Sequence, residues 1–133
     1  MDKFITLLNE LAEANLKEGG APYSALVVFN DTVIATGVNE AHKSNDPTHH
    51  AELVAIQKAV QLLKPEELAE ATIYASGEPC QMCYTAAQFT NIKNIYYVVS
   101  RDEIIKLGKS QPLADIPKHH TPTLSTKQLF EKW

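Results

Sequence analysis

The chain has 133 residues, 44% of them hydrophobic and 21% charged, with 12 Lys and Arg against 16 Asp and Glu for a formal net charge of −4. That length fits a single domain, residues 1–133, with a real core, and the acidic balance argues against a chain built to grip phosphate backbones. No apolar run is long enough to cross a bilayer, no signal-peptide pattern opens the chain, and its two cysteines lie within four residues, so the expectation is a cytoplasmic protein with no membrane partner.

In chain order, Phe4, Ile5, Leu7, Leu8, Leu11, Ala12, Asn15 and Leu16 keep a stripe at helical spacing, and Gly19-Gly20 ends that first helix. The β-rich runs Ala25–Phe29 and Thr32–Val38 flank Asn30-Asp31 and read as a hairpin. A polar, turn-rich segment from Asn39 to Thr48 leads into a second helix, which carries His50 and Glu52 and runs to about Leu63 before Pro65. Residues 66–69 read as a short turn or helix. Thr72–Ser76 is a strand that feeds Pro79-Cys80-Gln81-Met82-Cys83, and Asn94–Val99 is the next strand one helix later, which implies a parallel pair with a crossover helix. Beyond it the pattern gives a helix over Asp102–Leu107, a Pro-containing stretch to Pro122 and a terminal helix from Ser125 to Trp133. The fold class expected is α/β, with helices covering a central mixed sheet and a metal where strand ends meet two helix starts.

The chemistry is concentrated in His50-Ala51-Glu52 and Cys80-Gln81-Met82-Cys83. One imidazole and two thiolates suit zinc and leave its fourth position open, as catalytic zinc requires. Water bound there loses protons toward neutral pH, and Glu52 is the acid placed to carry them. A helix begun by Pro79 puts both sulfurs on one face, and Asp46-Pro47-Thr48 reads as the cap and first turn ahead of Leu53, Val54 and Ile56. Residues two apart on an ideal helix point in separate directions, so spacing leaves open whether Glu52 reaches the metal site.

With the H-x-E and P-C-x-x-C segments in this order, the chain resembles the zinc-dependent cytidine deaminase superfamily. Asn39 after Gly37-Val38, the run Ser44-Asn45-Asp46-Pro47-Thr48-His49-His50-Ala51-Glu52 and Glu78-Pro79-Cys80 extend the likeness toward its bacterial guanine deaminase and tRNA adenosine deaminase branch. The resemblance implies a three-layer α/β/α fold with a central mixed five-stranded sheet. It also implies Zn2+ held by His50, Cys80 and Cys83, with Glu52 passing protons from the zinc-bound water to the ring nitrogen and the departing amine. A substrate amine would become a carbonyl, with release of ammonia. Asn39, Tyr23, Ala51 and Trp133 stand where relatives contact or cover a nucleobase, Trp133 being similar in place to C-terminal aromatics that sometimes come from a partner subunit. A homodimer is implied. Guanine deaminases carry Phe-Asp-Asp where this chain has Lys109-Ser110-Gln111, and the second aspartate there contacts guanine; Asp102 and Asp115 are out of register.

Plainer readings stand beside these. Cys80 and Cys83 alone fit a redox pair, Asn39 a turn, Tyr23 the core, Trp133 a terminal anchor, and Tyr96-Tyr97 strand packing or a dimer face. His49, His42, His119 and His120 read as second-shell or loop residues. Three function classes follow. The first is deamination of a small nucleobase or nucleoside, guanine or a related purine, with cytosine-type and aminotriazine rings as variants. A tRNA adenosine deaminase is second, against which the acidic balance speaks. A non-catalytic zinc module is third and sits poorly with an intact Glu52.

Overall fold

Strand β1 (Ser24–Phe29) is apolar along nearly its whole length because both its faces are covered. Leu26 and Val28 pack with Phe4 and Leu8 of helix α1 (Asp2–Lys17), while Ala25 and Val27 join the cluster on the opposite face. That second cluster includes Ala51 and Ala55 of helix α3 (Ala51–Ala59), Ile73 of strand β3 (Thr72–Gly77) and Ala87 of helix α5 (Gln81–Phe89). The period of two in β1 therefore sorts its side chains between two helical layers, giving the α/β/α architecture expected.

The computed structural model describes residues 2–110 and 113–133. Its sheet has the order β2-β1-β3-β4, with β2 at Thr32–Val38 and β4 at Asn94–Val99. Strand β1 pairs antiparallel with β2 and β3, and β3 pairs parallel with β4 across the α5 crossover. Asn30 and Asp31 take φ of 51° and 61°, the left-handed pair that closes a tight β1–β2 hairpin. The sheet is mixed, as expected, but among the described residues it has four strands rather than five. The fifth belonged to the resemblance and to no run of this chain: after β4 come helix α6 (Arg101–Lys106), an irregular stretch holding Pro117 and Pro122, and helix α7 (Leu124–Lys132). Strand β4 is consequently an edge, with Tyr96, Tyr97 and Val98 half exposed, and α7 buries none of its residues.

Two further differences bear on the site. Helix α3 ends at Ala59, short of the expected Leu63, with single turns to Leu63 before the short helix α4 (Pro65–Leu68). An additional short helix, α2 (Ala41–Ser44), interrupts the segment expected to be all turn; Asn45 at φ 58° ends it.

Candidate active site

The site gathers where the carboxyl ends of parallel β3 and β4 face the starts of α3 and α5. Both helices begin later than the sequence suggests. His50 is the residue before α3 (ψ 153°) and Cys80 the residue before α5 (ψ 171°), both with extended backbone, and neither side chain makes a capping bond. Pro79 thus precedes the cap rather than starting the helix. Asp46 does not cap α3 either; its Oδ1 accepts from the Thr48 N–H at 2.9 Å and closes a turn ahead of it. The shifted start answers the spacing problem: His50 lies outside the helix while Glu52 is its second residue, so the i, i+2 separation of an ideal helix does not apply to the pair.

His50, Cys80 and Cys83 bring one ligand atom each to within 4.8 Å of one another. The His50 Nδ1 is 3.5 Å from the Cys80 sulfur and 3.6 Å from the Cys83 sulfur. Tetrahedral zinc, with Zn–S of about 2.3 Å and Zn–N of about 2.05 Å, sets nitrogen and sulfur about 3.6 Å apart. The two nitrogen–sulfur distances therefore match the edges of a zinc tetrahedron, and the donors suit zinc in their chemistry. Both cysteines are free thiols rather than a disulfide, as ligation of a metal requires.

The charges are arranged for deprotonated sulfur. Cys80 is pulled down to about 3, first by its hydrogen bond with Cys83 and then by that with His50. Cys83 is pushed up by the same contact with Cys80 and by burial, so one proton is shared between the sulfurs. His50 is raised, chiefly by Cys80, with the Arg101 charge opposing it. Glu52 is raised by burial above all; only 5% of it is exposed, an unusual place for a carboxyl on an ordinary helix.

Around this cluster is a cavity of about 470 Å³, lined by His50, Glu52 and Cys80 together with Tyr23, Asn39, Pro47, Thr48 and Met82. Asn39 is held at three atoms. Its N–H donates to the Tyr23 carbonyl at 3.1 Å, its carbonyl accepts from Asn15 Nδ2 at 2.9 Å, and its Oδ1 accepts from the Ala41 N–H at 3.0 Å. The last bond fixes the amide orientation and leaves the NH2 group as the free end. Asn15, 98% buried on α1 and bonded also to the Ala21 carbonyl, is a positioning residue; the sequence places it on the apolar stripe of the helix without that role, and a polar amide on such a stripe is the signal.

Of the expected substrate residues, Asn39 and Tyr23 reach the cavity. Ala51 is fully buried between His50 and Glu52 and does not line it, because its methyl packs in the core cluster and its carbonyl against Gly37. Trp133 is 99% exposed, edge-on to Phe130 at 6.4 Å, and stands apart from the cavity in the single chain. Lys109 and Ser110 do line it, while Gln111 lies outside the described residues. Asp102 and Asp115 are exposed and not part of the wall. His49 supports the wall: its ring bonds Ser44 Oγ at 2.8 Å and faces Asp46 at 3.3 Å, tying down the loop that presents Pro47 and Thr48. Glu78, Gln81, Arg101, Ile104 and Leu113 complete the lining. Arg101 went unnoticed in the sequence, although it opens α6 two residues after β4, the parallel neighbour of β3, at the strand ends where ligands gather in such sheets.

Three comparisons agree with this geometry. The model of the cytidine and deoxycytidylate deaminase zinc-binding region matches residues 1–99. Over 108 residues the chain is 34% identical to the guanine deaminase of Bacillus subtilis, covering 81% of this chain and 67% of that protein. Over 87 residues it is 37% identical to a tRNA-specific adenosine deaminase of Buchnera aphidicola, covering 65% of this chain and 54% of that protein. The chain thus spans about two thirds and about half of these two curated relatives. A solved structure of the Bacillus subtilis guanine deaminase superposes with a TM-score of 0.87 at 29% identity, over 99% of this chain and 92% of that one.

Proposed function

The chain belongs to the zinc-binding cytidine and deoxycytidylate deaminase family, a family of hydrolases acting on carbon–nitrogen bonds, and on that premise we propose that it deaminates a small purine-type base or nucleoside, guanine or a close relative. The observation that carries this reading is Glu52: a buried carboxyl opening on the same cavity as the His50, Cys80 and Cys83 cluster. A redox pair or a closed structural zinc site has no use for it.

Zinc on those three residues supplies, when bound, an acidified water as the nucleophile. Glu52 would carry two protons in turn at its carboxylate, one from the attacking water to the ring nitrogen and a second from the added hydroxyl to the amine, which leaves as ammonia; burial, which raises its proton affinity, suits it to that exchange. Asn39 donates its free amide hydrogens to an acceptor on the ring, and Tyr23 lays its own ring along the substrate face. Pro47, Thr48 and Met82 exclude water around the ring. The protein works as one domain in the cytoplasm, as a homodimer whose contact face includes the half-exposed Tyr96, Tyr97 and Val98 of β4.

A tRNA adenosine substrate is the second reading, favoured by the identity to the Buchnera aphidicola enzyme and opposed by the net charge of −4. Ammonia release by zinc-loaded protein from guanine, guanosine, adenine, cytosine, an aminotriazine and a tRNA anticodon hairpin separates them. Turnover of a purine base or nucleoside is the expected result; turnover of the hairpin alone makes the second reading the right one.

A further inference from the structure

The cavity has a wall that the removal of an amine does not use. Arg101 and Lys109 line it, with Ser110 beside them, all contributed by the segment that follows β4. Arg101 is half-buried. Among the described residues, no carboxylate oxygen lies within the 4.0 Å of an ion pair from its guanidinium or from the Lys109 ammonium. Glu78 shares this wall, but its Oε1 accepts from the Arg101 backbone N–H at 2.9 Å. Two cations, Arg101 and Lys109, thus face the one carboxylate of Glu78 on this wall, and that carboxylate is bonded to the Arg101 backbone rather than paired with its guanidinium. A bound anion offsets the cost of such a partly desolvated guanidinium, whose forked donors fit the oxygens of a carboxylate or phosphate.

We propose that the substrate's aminated ring carries an anionic group, a phosphate or a carboxylate, seated against Arg101 and Lys109. The proposal rests on the deaminase reading and narrows its substrate class. Arg and Lys side chains offer only donors, so this wall suits an acceptor and repels the N–H-rich edge of a neutral amidine. A net charge of −4 favours a single small anion here over a polyanion that would meet the rest of the acidic surface.

The test uses zinc-loaded protein and matched pairs: guanosine against guanosine 5′-phosphate, and cytosine against cytosine-5-carboxylate, with a tRNA anticodon hairpin alongside. The expected result is that one anionic member is deaminated with kcat/KM about tenfold or more above its neutral partner. The preference collapses in Arg101→Gln, is reduced in Lys109→Gln and is unchanged in Lys3→Gln, whose lysine pairs with Asp31 in the hairpin turn at the other end of β1. The substitution keeps the backbone bond to Glu78, so the fold has no reason to suffer. Which pair responds names phosphate or carboxylate. Equal or better turnover of the neutral members, or of the hairpin alone, overturns the proposal. Should no compound be turned over, the deaminase reading is what fails. Calorimetry with guanosine 5′-phosphate and cytosine-5-carboxylate then decides the wall separately: binding that Arg101→Gln weakens about tenfold supports it, and no binding, or binding indifferent to Arg101, overturns it.

Discussion

The side-chain oxygen of Asn39 accepts from the backbone N–H of Ala41 at 3.0 Å, so one residue both closes the turn into α2 and turns its amide donor toward the cavity. Asn39→Asp keeps the acceptor for Ala41 and replaces the donor with a second acceptor. We expect it to fold normally while KM rises about tenfold or more. Asn39→Ala loses the turn as well, and its melting temperature falls along with its activity. An Asp variant with unchanged kcat/KM would take Asn39 out of substrate contact.

Glu52→Gln removes the proton carrier and keeps the size. Turnover should drop by about 10²–10⁴-fold with zinc content unchanged. Elemental analysis beside ammonia release checks both halves. If zinc is lost with activity, Glu52 supports the metal site rather than the proton transfers.

Cys83, 1% exposed in the first turn of α5, holds its sulfur where both the metal and the core need it. Cys83→Ser should bind zinc at least about tenfold more weakly, and chelation of the unaltered protein should lower its melting temperature and abolish its activity, both recovering on zinc addition. Because the imidazole and both thiols must be proton-free to ligate, and His50 and Cys83 hold their protons more tightly than usual, zinc uptake should release protons, which calorimetry in two buffers of different ionisation enthalpy measures. Full zinc occupancy in Cys83→Ser refutes the ligand set.

Gly37 sits on β2 where α3 begins. A methyl there would overlap the Ala51 carbonyl oxygen and come within 2.7 Å of the Ala55 nitrogen. Both neighbours are backbone, so neither can swing aside. Gly37→Ala should cost about 2 kcal/mol, roughly 8 °C in melting temperature, and weaken zinc binding by pushing His50 and Glu52 off their positions. Thermal unfolding together with a zinc titration reads both effects; a variant as stable and as zinc-avid as the parent would show that α3 has room to move.

The β1–β2 hairpin, the parallel β3 and β4 and the three metal ligands were legible in the sequence, because each depends on local periodicity or on donor chemistry. Glu52 was legible as a residue type but not as a geometry, since its direction follows from where α3 starts, one residue after His50. The roles of Asn15 and Arg101 were not legible. Asn15 acts through the carbonyls of Ala21 and Asn39, which sequence distance separates from it, and Arg101 meets the metal site only because β4 lies beside β3. The expectation for Trp133 came from the resemblance alone, and in the single chain it has no neighbour to hold it at the cavity.

The ligands and Glu52 come from the entries to α3 and α5, whereas Arg101, Lys109 and Ser110 come from the segment after β4. The proposed proton chemistry and the proposed anion contacts thus come from different stretches of chain that meet only in space, while Asn39 and Tyr23 reach the cavity from the two ends of the β1–β2 hairpin. Evolution can rewrite the later stretch without disturbing the earlier one, and so can an engineer: grafting a relative's post-β4 segment onto this chain should transplant that relative's substrate preference while leaving the hydrolytic machinery as it was.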